Sequence, residues 1–409
     1  MRKRISVLSV IWILSLVILV CVKAEAQEIL HLGATVPFSW RMGIGLKNIL
    51  EMNADLLNKA GGLTVGGKTY MIKYHIYDDK YNADAGRAAH ERLVFEDKVK
   101  FIIGTIPSPV ILSSLGITEP NKIPIFSNAA SEKLLSPDIK YFVHTYYTRI
   151  LEATAKMVHE LRPEIKTVVL TSYDNETGHS IIRVIEKGYK AFGITPLASI
   201  LFKPGESDFS RIATKVISLK PDHFDCNGAT GAENIQLIKA LRDAGYKGTI
   251  TAVYMTQPVV DDLVEKVGKE GAESIYVSIN DTTLPAIKNR PPGILEFRKN
   301  YETYYGKWET DALMWADCWY AWLTAVKKVN SIDPDKVVGV IRNGIEVSSP
   351  NGVGKFYTRP DLGNKEYCDY AQPVRLGVVK DGKITFVAEK DADYAIDAVE
   401  KVYGMKMRK

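Results

Sequence analysis

The sequence predicts an α/β protein of two doubly wound lobes, and three observations carry that expectation. Short apolar runs alternate with helical repeats from Ile29 onward, the same succession restarts after Tyr147, and the chain has 409 residues. Such alternation implies mostly parallel sheets covered on both faces by helices. The length exceeds one small domain and fits two lobes of roughly 150 to 200 residues each.

The elements follow in order. Ile29 to Val36 is an apolar run; Leu46, Ile49, Leu50, Ala54 and Leu57 then recur at helical spacing until Gly61-Gly62 stops the helix. Tyr70 to Tyr77 alternates as a strand, Asn82 caps a helix through Val94, and Phe101 to Gly104 is a buried strand. Ser108 and Ile123 to Phe126 start the next helix and strand. In the second half, strands are expected at Thr167 to Thr171, Leu197 to Phe202, Phe224 to Cys226, Thr249 to Val253 and Ser274 to Val277. Helices near Ser180 to Ala191, Phe209 to Leu219 and Asn234 to Ala244 separate them. Past residue 290 helices dominate, at Ile294 to Tyr305, Leu313 to Val329 and Pro334 to Arg342, before a hairpin whose turn is Asp381-Gly382. Trp315 and Trp319, four apart on one helix, read as a core stripe. No internal repeat or long flexible linker interrupts the chain, so several short crossings are expected to join the lobes.

The first residues are an export signal. Met1-Arg2-Lys3-Arg4 is a basic head, Ile5 to Val22 is uncharged and apolar, and Ala24-Glu25-Ala26 places small residues where a signal peptidase reads. Residues 1–26 are thus expected to be cleaved after Ala26, leaving Gln27 first and the protein in the periplasm. The rival reading is an uncleaved anchor, for which the apolar run is long enough. A lipoprotein is disfavoured, because Val20 precedes Cys21 where a small residue is usual.

Removing that leader takes away four basic residues and one acidic one, so the net charge of +5 falls to +2. A nearly neutral chain without a basic block supports neither nucleic acid nor an anionic membrane as a partner, and no nucleic acid is expected. Of the four cysteines only Cys226, Cys318 and Cys368 remain, which allows one disulfide, with Cys318 and Cys368 the favoured pair. The seven histidines lack the spacing of a zinc site, so no metal and no cofactor are expected.

Ligands of open α/β sheets bind beyond the carboxyl ends of strands, where the strand order reverses. That rule selects Pro37 to Met42, Thr105 to Ser108 and Asn128 to Ser131 in the first half. In the second half it selects Ser172 to Thr177, Asn227 to Thr230 and Tyr254 to Gln257. Ser108 before Pro109 reads as an N-cap, presenting free backbone N–H groups and a helix dipole that favour a carboxylate. Ser131, behind Ala129 and Ala130, adds a hydroxyl on a backbone that a ligand can approach closely. Trp40 and Met42 offer a cover for an apolar or aromatic ligand; Arg41 is a second anion contact or an exposed loop residue. There is no G-x-S-x-G elbow, phosphate loop or dinucleotide fingerprint, and Gly178-His179-Ser180 is not a catalytic geometry, so no enzyme and no catalytic residue is expected.

With these residues in view, the chain resembles the periplasmic solute-binding proteins of ABC importers, specifically the leucine/isoleucine/valine-binding family. The marks are Gly33-Ala34, Asn58-Lys59-Ala60-Gly61-Gly62-Leu63, Tyr77-Asp78-Asp79, Ile102-Ile103-Gly104 and Asp208-Phe209-Ser210, in that order across the mature chain. The resemblance implies a type I bilobal fold with three hinge crossings. It implies a first lobe of 27–145 plus 278–357, a second of 146–277 plus 371–409, and a third crossing at 358–370. It also implies lobe closure on a small-molecule ligand, docking of the monomer on a membrane permease, and no chemistry by the protein itself.

Carried over by position, Ser108, Ala129 and Ser131 match the family's first-lobe contacts to the ligand carboxylate. Met42 stands where a large aromatic is frequent, and Thr177 and Thr230 stand where amino-acid binders have tyrosines. Tyr147 and Tyr254 replace the two acids that hold the ligand ammonium. An unpaired buried ammonium is strongly disfavoured, although Asp174, Glu176 or Asp317 offer a charge from another direction. The expected ligand is therefore a small organic carboxylate, aromatic or branched, with a branched-chain amino acid or amide as the alternative. A ligand-sensing receptor module and an envelope hydrolase are the readings outside the class.

Overall fold

The computed structural model describes residues 28–145, 150–228, 231–252, 255–308 and 313–408. The leader, Tyr147, Thr230 and Tyr254 lie outside the described residues. The first sheet contains β1 (Glu28–Val36), β2 (Leu63–Val65), β3 (Lys68–Asp78), β4 (Phe101–Thr105), β5 (Ile125–Ser127) and β6 (Phe142–His144), ordered β2-β3-β1-β4-β5-β6. All neighbours are parallel except β2 with β3. Alternation along β4 sorts its side chains between two layers. Phe101 and Ile103 join the cluster of Leu46 and Leu50 on α1 (Arg41–Lys59). Ile102 faces the other way, with Leu93 of α2 (Ala83–Phe95) and Ile111 of α3 (Ser108–Thr118).

A second sheet repeats the design. After α4 (Ile150–Leu161), its strands β7 (Thr167–Tyr173), β8 (Thr195–Phe202), β9 (His223–Gly228), β10 (Thr249–Ala252) and β11 (Ile275–Ser278) are joined by α5 (Glu176–Ala191), α6 (Ser210–Leu219), α7 (Gly231–Asp243) and α8 (Gln257–Ala272). The chain then returns to the first sheet through α9 (Ile294–Tyr305), α10 (Asp317–Val329) and α11 (Pro334–Arg342). Trp322 of α10 meets Phe101 edge-on, with centroids 6.0 Å apart, and Tyr305 of α9 donates to the Asn48 carbonyl of α1. Strands β12 (Glu346–Ser349), β13 (Gly352–Arg359) and β14 (Asn364–Ala371) form a small antiparallel sheet. The hairpin β15 (Val374–Lys380) and β16 (Lys383–Lys390), turning at Asp381-Gly382, completes the second sheet in the order β16-β15-β11-β10-β9-β7-β8. Helix α12 (Ala392–Tyr403) packs on α4 and α5.

Several details differ from the sequence reading, among them helices α4 and α12 and the small antiparallel sheet, which it does not name. Leu313 to Val329 is not one helix: a 3-10 turn, Leu313–Trp315, precedes α10. Helix α8, kinked at Gly268 with φ 72°, is not among the expected helices, although Val259, Val260 and Leu263 stand at helical spacing. Cys318 and Cys368 are free thiols rather than a pair. Cys318 is buried in the α10 layer and donates to the Trp315 carbonyl at 3.2 Å, whereas Cys368 packs in the opposite layer. Trp315 and Trp319 are core residues, 4% and 2% exposed.

Candidate functional site

Strand order locates the site. From β1 the first sheet grows to one side through β3 and to the other through β4, so its switch point lies between β1 and β4. In the second sheet the order reverses between β7 and β9. Loops after these strands flank a crevice in each sheet. The segments after β1, β4 and β5 leave adjacent strand ends, which at about 4.8 Å per strand span roughly 10 Å, the reach of a substituted aromatic acid. Thr177 follows β7, the strand at the edge of the second switch point.

Glycine sets how closely the following helices begin. A Cβ on Gly43 would lie 2.2 Å from the Pro37 carbonyl oxygen, and one on Gly178 would lie 2.0 Å from that of Tyr173. Both helices therefore start folded back against the strand that feeds them.

Ser108 is fully buried, but it does not cap α3. Pro107 holds the cap position at φ −74° and Ser108 is the first helical residue. Its hydroxyl instead accepts the Ser131 N–H at 3.1 Å, tying the ends of β4 and β5 together. Ala129 is buried beside it, and its carbonyl meets His144 Nε2 at 2.7 Å. Ser131 donates its hydroxyl to Glu176 Oε1 at 2.9 Å across to the second sheet's α5. Asn128 opens the selected segment Asn128 to Ser131 but has no role of its own in the sequence reading: its Oδ1 accepts from Thr145 at 2.6 Å, while its buried Nδ2 has no partner among the described residues. Position alone, one residue beyond β5, was the available signal.

Trp40 stacks on Tyr81 with centroids 4.4 Å apart, and the Tyr81 hydroxyl approaches Asn175 and Thr177. Met42 borders a cavity of about 560 Å³, walled by Trp40 on one side and by Tyr173, Pro204 and Val259 on the other. Arg41 lines the same cavity and is exposed. Glu233 lines it too, but is buried, accepts the Gly205 N–H at 2.8 Å and is paired with the Tyr173 hydroxyl.

The acids named as alternative charges are all engaged. Asp174 is exposed and pairs with His179 at 2.9 Å, and Asp317 accepts from Asn351 at 2.9 Å inside the α10 core. Glu176 holds Lys133 at 2.6 Å as well as Ser131. Burial raises its carboxyl, but the bonds from Lys133 and Ser131 outweigh that and leave it below the usual range. Glu176→Ala should therefore loosen the contact between the two sheets' layers. A half-buried charged hydrogen bond of about 1.5 kcal/mol predicts a several-fold loss of ligand affinity and a larger radius of gyration of the free protein by small-angle scattering.

Asp79, wholly buried behind the Trp40–Tyr81 pair, accepts the Tyr81 N–H at 2.8 Å. Burial pushes its carboxyl up to about 7 against the pull of that N–H. The folded state thus binds this proton more tightly than the unfolded chain, and the stabilisation fades as pH rises from about 4 to about 7. Asp79→Asn keeps an acceptor for Tyr81 and removes the charge. Its urea midpoint should exceed the parent's at pH 7.5, with the gap closing towards pH 4. Buried His90 and His223, held at about 4 and about 3, oppose this trend in both proteins, so the difference between them isolates Asp79.

Two lobes of parallel sheet with facing switch points define a bilobal ligand-binding protein. The chain belongs to the family described as periplasmic binding protein, which it matches over residues 34–383. That family is made up of solute-binding proteins that take small molecules and work with ABC permeases. Solved structures share the fold at low identity. A leucine binding protein from Thermotoga maritima superposes with a TM-score of 0.70 at 19% identity, over 89% of this chain and 99% of its own. A solute binding protein from R. palustris in complex with benzoate gives 0.70 at 18%, over 89% and 97%. One from Rhodopseudomonas palustris HaA2 in complex with p-hydroxybenzoic acid gives 0.72 at 17%, over 89% and 98%.

Proposed function

We propose that this protein is the extracytoplasmic solute-binding component of an ABC importer and that it captures a small organic carboxylate, aromatic or branched. In this reading the mature chain starts at Gln27. The lobes comprise 27–145 plus 278–357 and 146–277 plus 371–409, and they close on one ligand before docking on the permease as a monomer. Ser108, Ala129 and the orphaned Asn128 amide receive the carboxylate, while Trp40, Met42 and Thr177 border the rest of the ligand. Tyr147, Thr230 and Tyr254 complete it from the second lobe.

The observation that carries the reading is the imbalance of polar groups at the strand ends. Asp174, Glu176 and Glu233 are each occupied by protein donors and Asp317 is buried in the α10 core, whereas Asn128 Nδ2 is a buried donor without a partner among the described residues. A ligand acceptor matches such a site and a ligand ammonium does not. The benzoate complexes of similar fold support the same chemistry. Differential scanning fluorimetry against acids, amides and amino acids tests it, as argued below. N-terminal sequencing of the osmotic-shock fraction tests the processing: Gln27 is expected first, and an intact Met1 form in membranes would replace it with the anchor reading.

A further inference from the structure

A second cavity, of about 500 Å³, lies where the chain leaves β11 and crosses back to the first sheet. Its walls come from both sides of that crossing. Thr256 precedes α8, Ser278 ends β11, and Ile279 and Asp281 follow in the crossing itself. Arg298 and Glu302 stand on α9, with Trp308 just beyond it. Helix α9 is fixed to the first sheet's layer, since its Tyr305 bonds the α1 backbone.

Three residues of this wall each carry a buried polar atom without a hydrogen-bond partner among the described residues: Ser278 Oγ, Thr256 Oγ1 and Trp308 Nε1. Ser278 is only 4% exposed, so it has little recourse to solvent. The Trp308 ring is held edge-on by Phe297 and Tyr301, at 6.1 and 5.5 Å between centroids. An indole N–H can only donate, and the two hydroxyls can donate as well as accept. The acids nearby are occupied: Glu302 holds Arg298 at 2.9 Å, and Asp281 accepts from Thr283. Lys307 adds a further cation at the rim, and Met255, Ile279 and Leu284 supply apolar wall. Unsatisfied donors beside apolar surface call for an acceptor on an organic body.

We propose that this hinge cavity is a second ligand site, adjoining the crevice at the strand ends, with which it shares Thr256, and that it binds a small organic carboxylate. The carboxylate takes hydrogen bonds from Trp308 Nε1 and the Ser278 and Thr256 hydroxyls, and its body lies on Met255 and Ile279. Because the walls belong to both sides of the crossing, a bound acid holds the arrangement in which Glu176 also joins the two sides.

The probes are acetate and benzoate, with benzamide and benzylamine as neutral and cationic counterparts. Soaked into crystals of the mature protein, at least one of the two acids should occupy the hinge cavity within hydrogen-bond reach of Trp308 Nε1 and Ser278 Oγ; benzylamine should not. Calorimetric titration with that acid should then show a hinge event in the parent that is lost, or weakened at least tenfold, in Trp308→Phe/Ser278→Ala. Unchanged circular dichroism and melting of the free variant would show that the loss is local. A cavity empty of both acids, preference for the amine, binding at crystal concentration only, or an unaltered titration in the variant would each overturn the proposal. The crystals distinguish an acid in the hinge cavity from one in the strand-end crevice, so a hinge cavity empty of acid leaves the reading of the crevice standing.

Discussion

Benzoate or another small organic acid should raise the melting temperature of the mature protein clearly, while leucine, isoleucine and valine leave it nearly unchanged. At about 100 times its dissociation constant a ligand adds roughly 2.7 kcal/mol of stability, which is readily visible on melting. Asp174 and Glu176 cannot neutralise an amine without breaking bonds they already make to His179 and Lys133, and Asp317 is buried in the α10 core. An ammonium would then enter the crevice with its desolvation uncompensated, at a cost of several kcal/mol. Ser108→Ala should weaken acid binding by about 1 to 3 kcal/mol, because Ser108 Oγ also fixes the Ser131 N–H that joins β4 to β5. Tyr254→Glu should weaken it further by setting like charge against the ligand. Tight leucine binding by the parent protein, lost in Tyr147→Phe or Tyr254→Phe, would restore the amino-acid reading.

The largest loss of stability is expected from Asp369→Asn. Asp369 is wholly buried and shared by His144 Nδ1, the Tyr357 hydroxyl and Arg359 Nη1, at 2.7, 2.7 and 2.8 Å. Arg359 is buried as well and is otherwise held by Asp361 and Glu132. Asn puts an amide N–H group where one carboxylate oxygen now accepts, so a buried donor of His144 or of Arg359 and Tyr357 is left facing a donor; breaking a buried charged network from one side typically costs about 3 to 5 kcal/mol. Urea unfolding measures it directly. Tyr357→Phe, which deletes one hydrogen bond and keeps the carboxylate, should cost only about 1 kcal/mol. A loss of similar size in both variants would mean that packing rather than charge holds the network. Ligand binding should suffer with Asp369, because the His144 ring that it orients also bonds the Ala129 carbonyl.

Much of this molecule could be read from local pattern. The helical repeat of Leu46, Ile49, Leu50, Ala54 and Leu57 falls on α1, Asn82 caps α2 by accepting from Asp84 and Ala85, and Asp381-Gly382 turns the last hairpin. Periodicity of 2 or 3.6 records which face of an element is buried, so the two-lobed α/β class and the strand-end segments followed from the sequence by itself. The side-chain partners did not. Ser108 meets Ser131, Ser131 meets Glu176, and His144 meets Asp369, across 23, 45 and 225 residues. Nor does periodicity say that Cys318 and Cys368 face different layers, or that Ser278 and Trp308 share one cavity. Such contacts depend on strand order and on how helices from distant segments return to a sheet; local spacing constrains neither, and only the packed tertiary structure decides them.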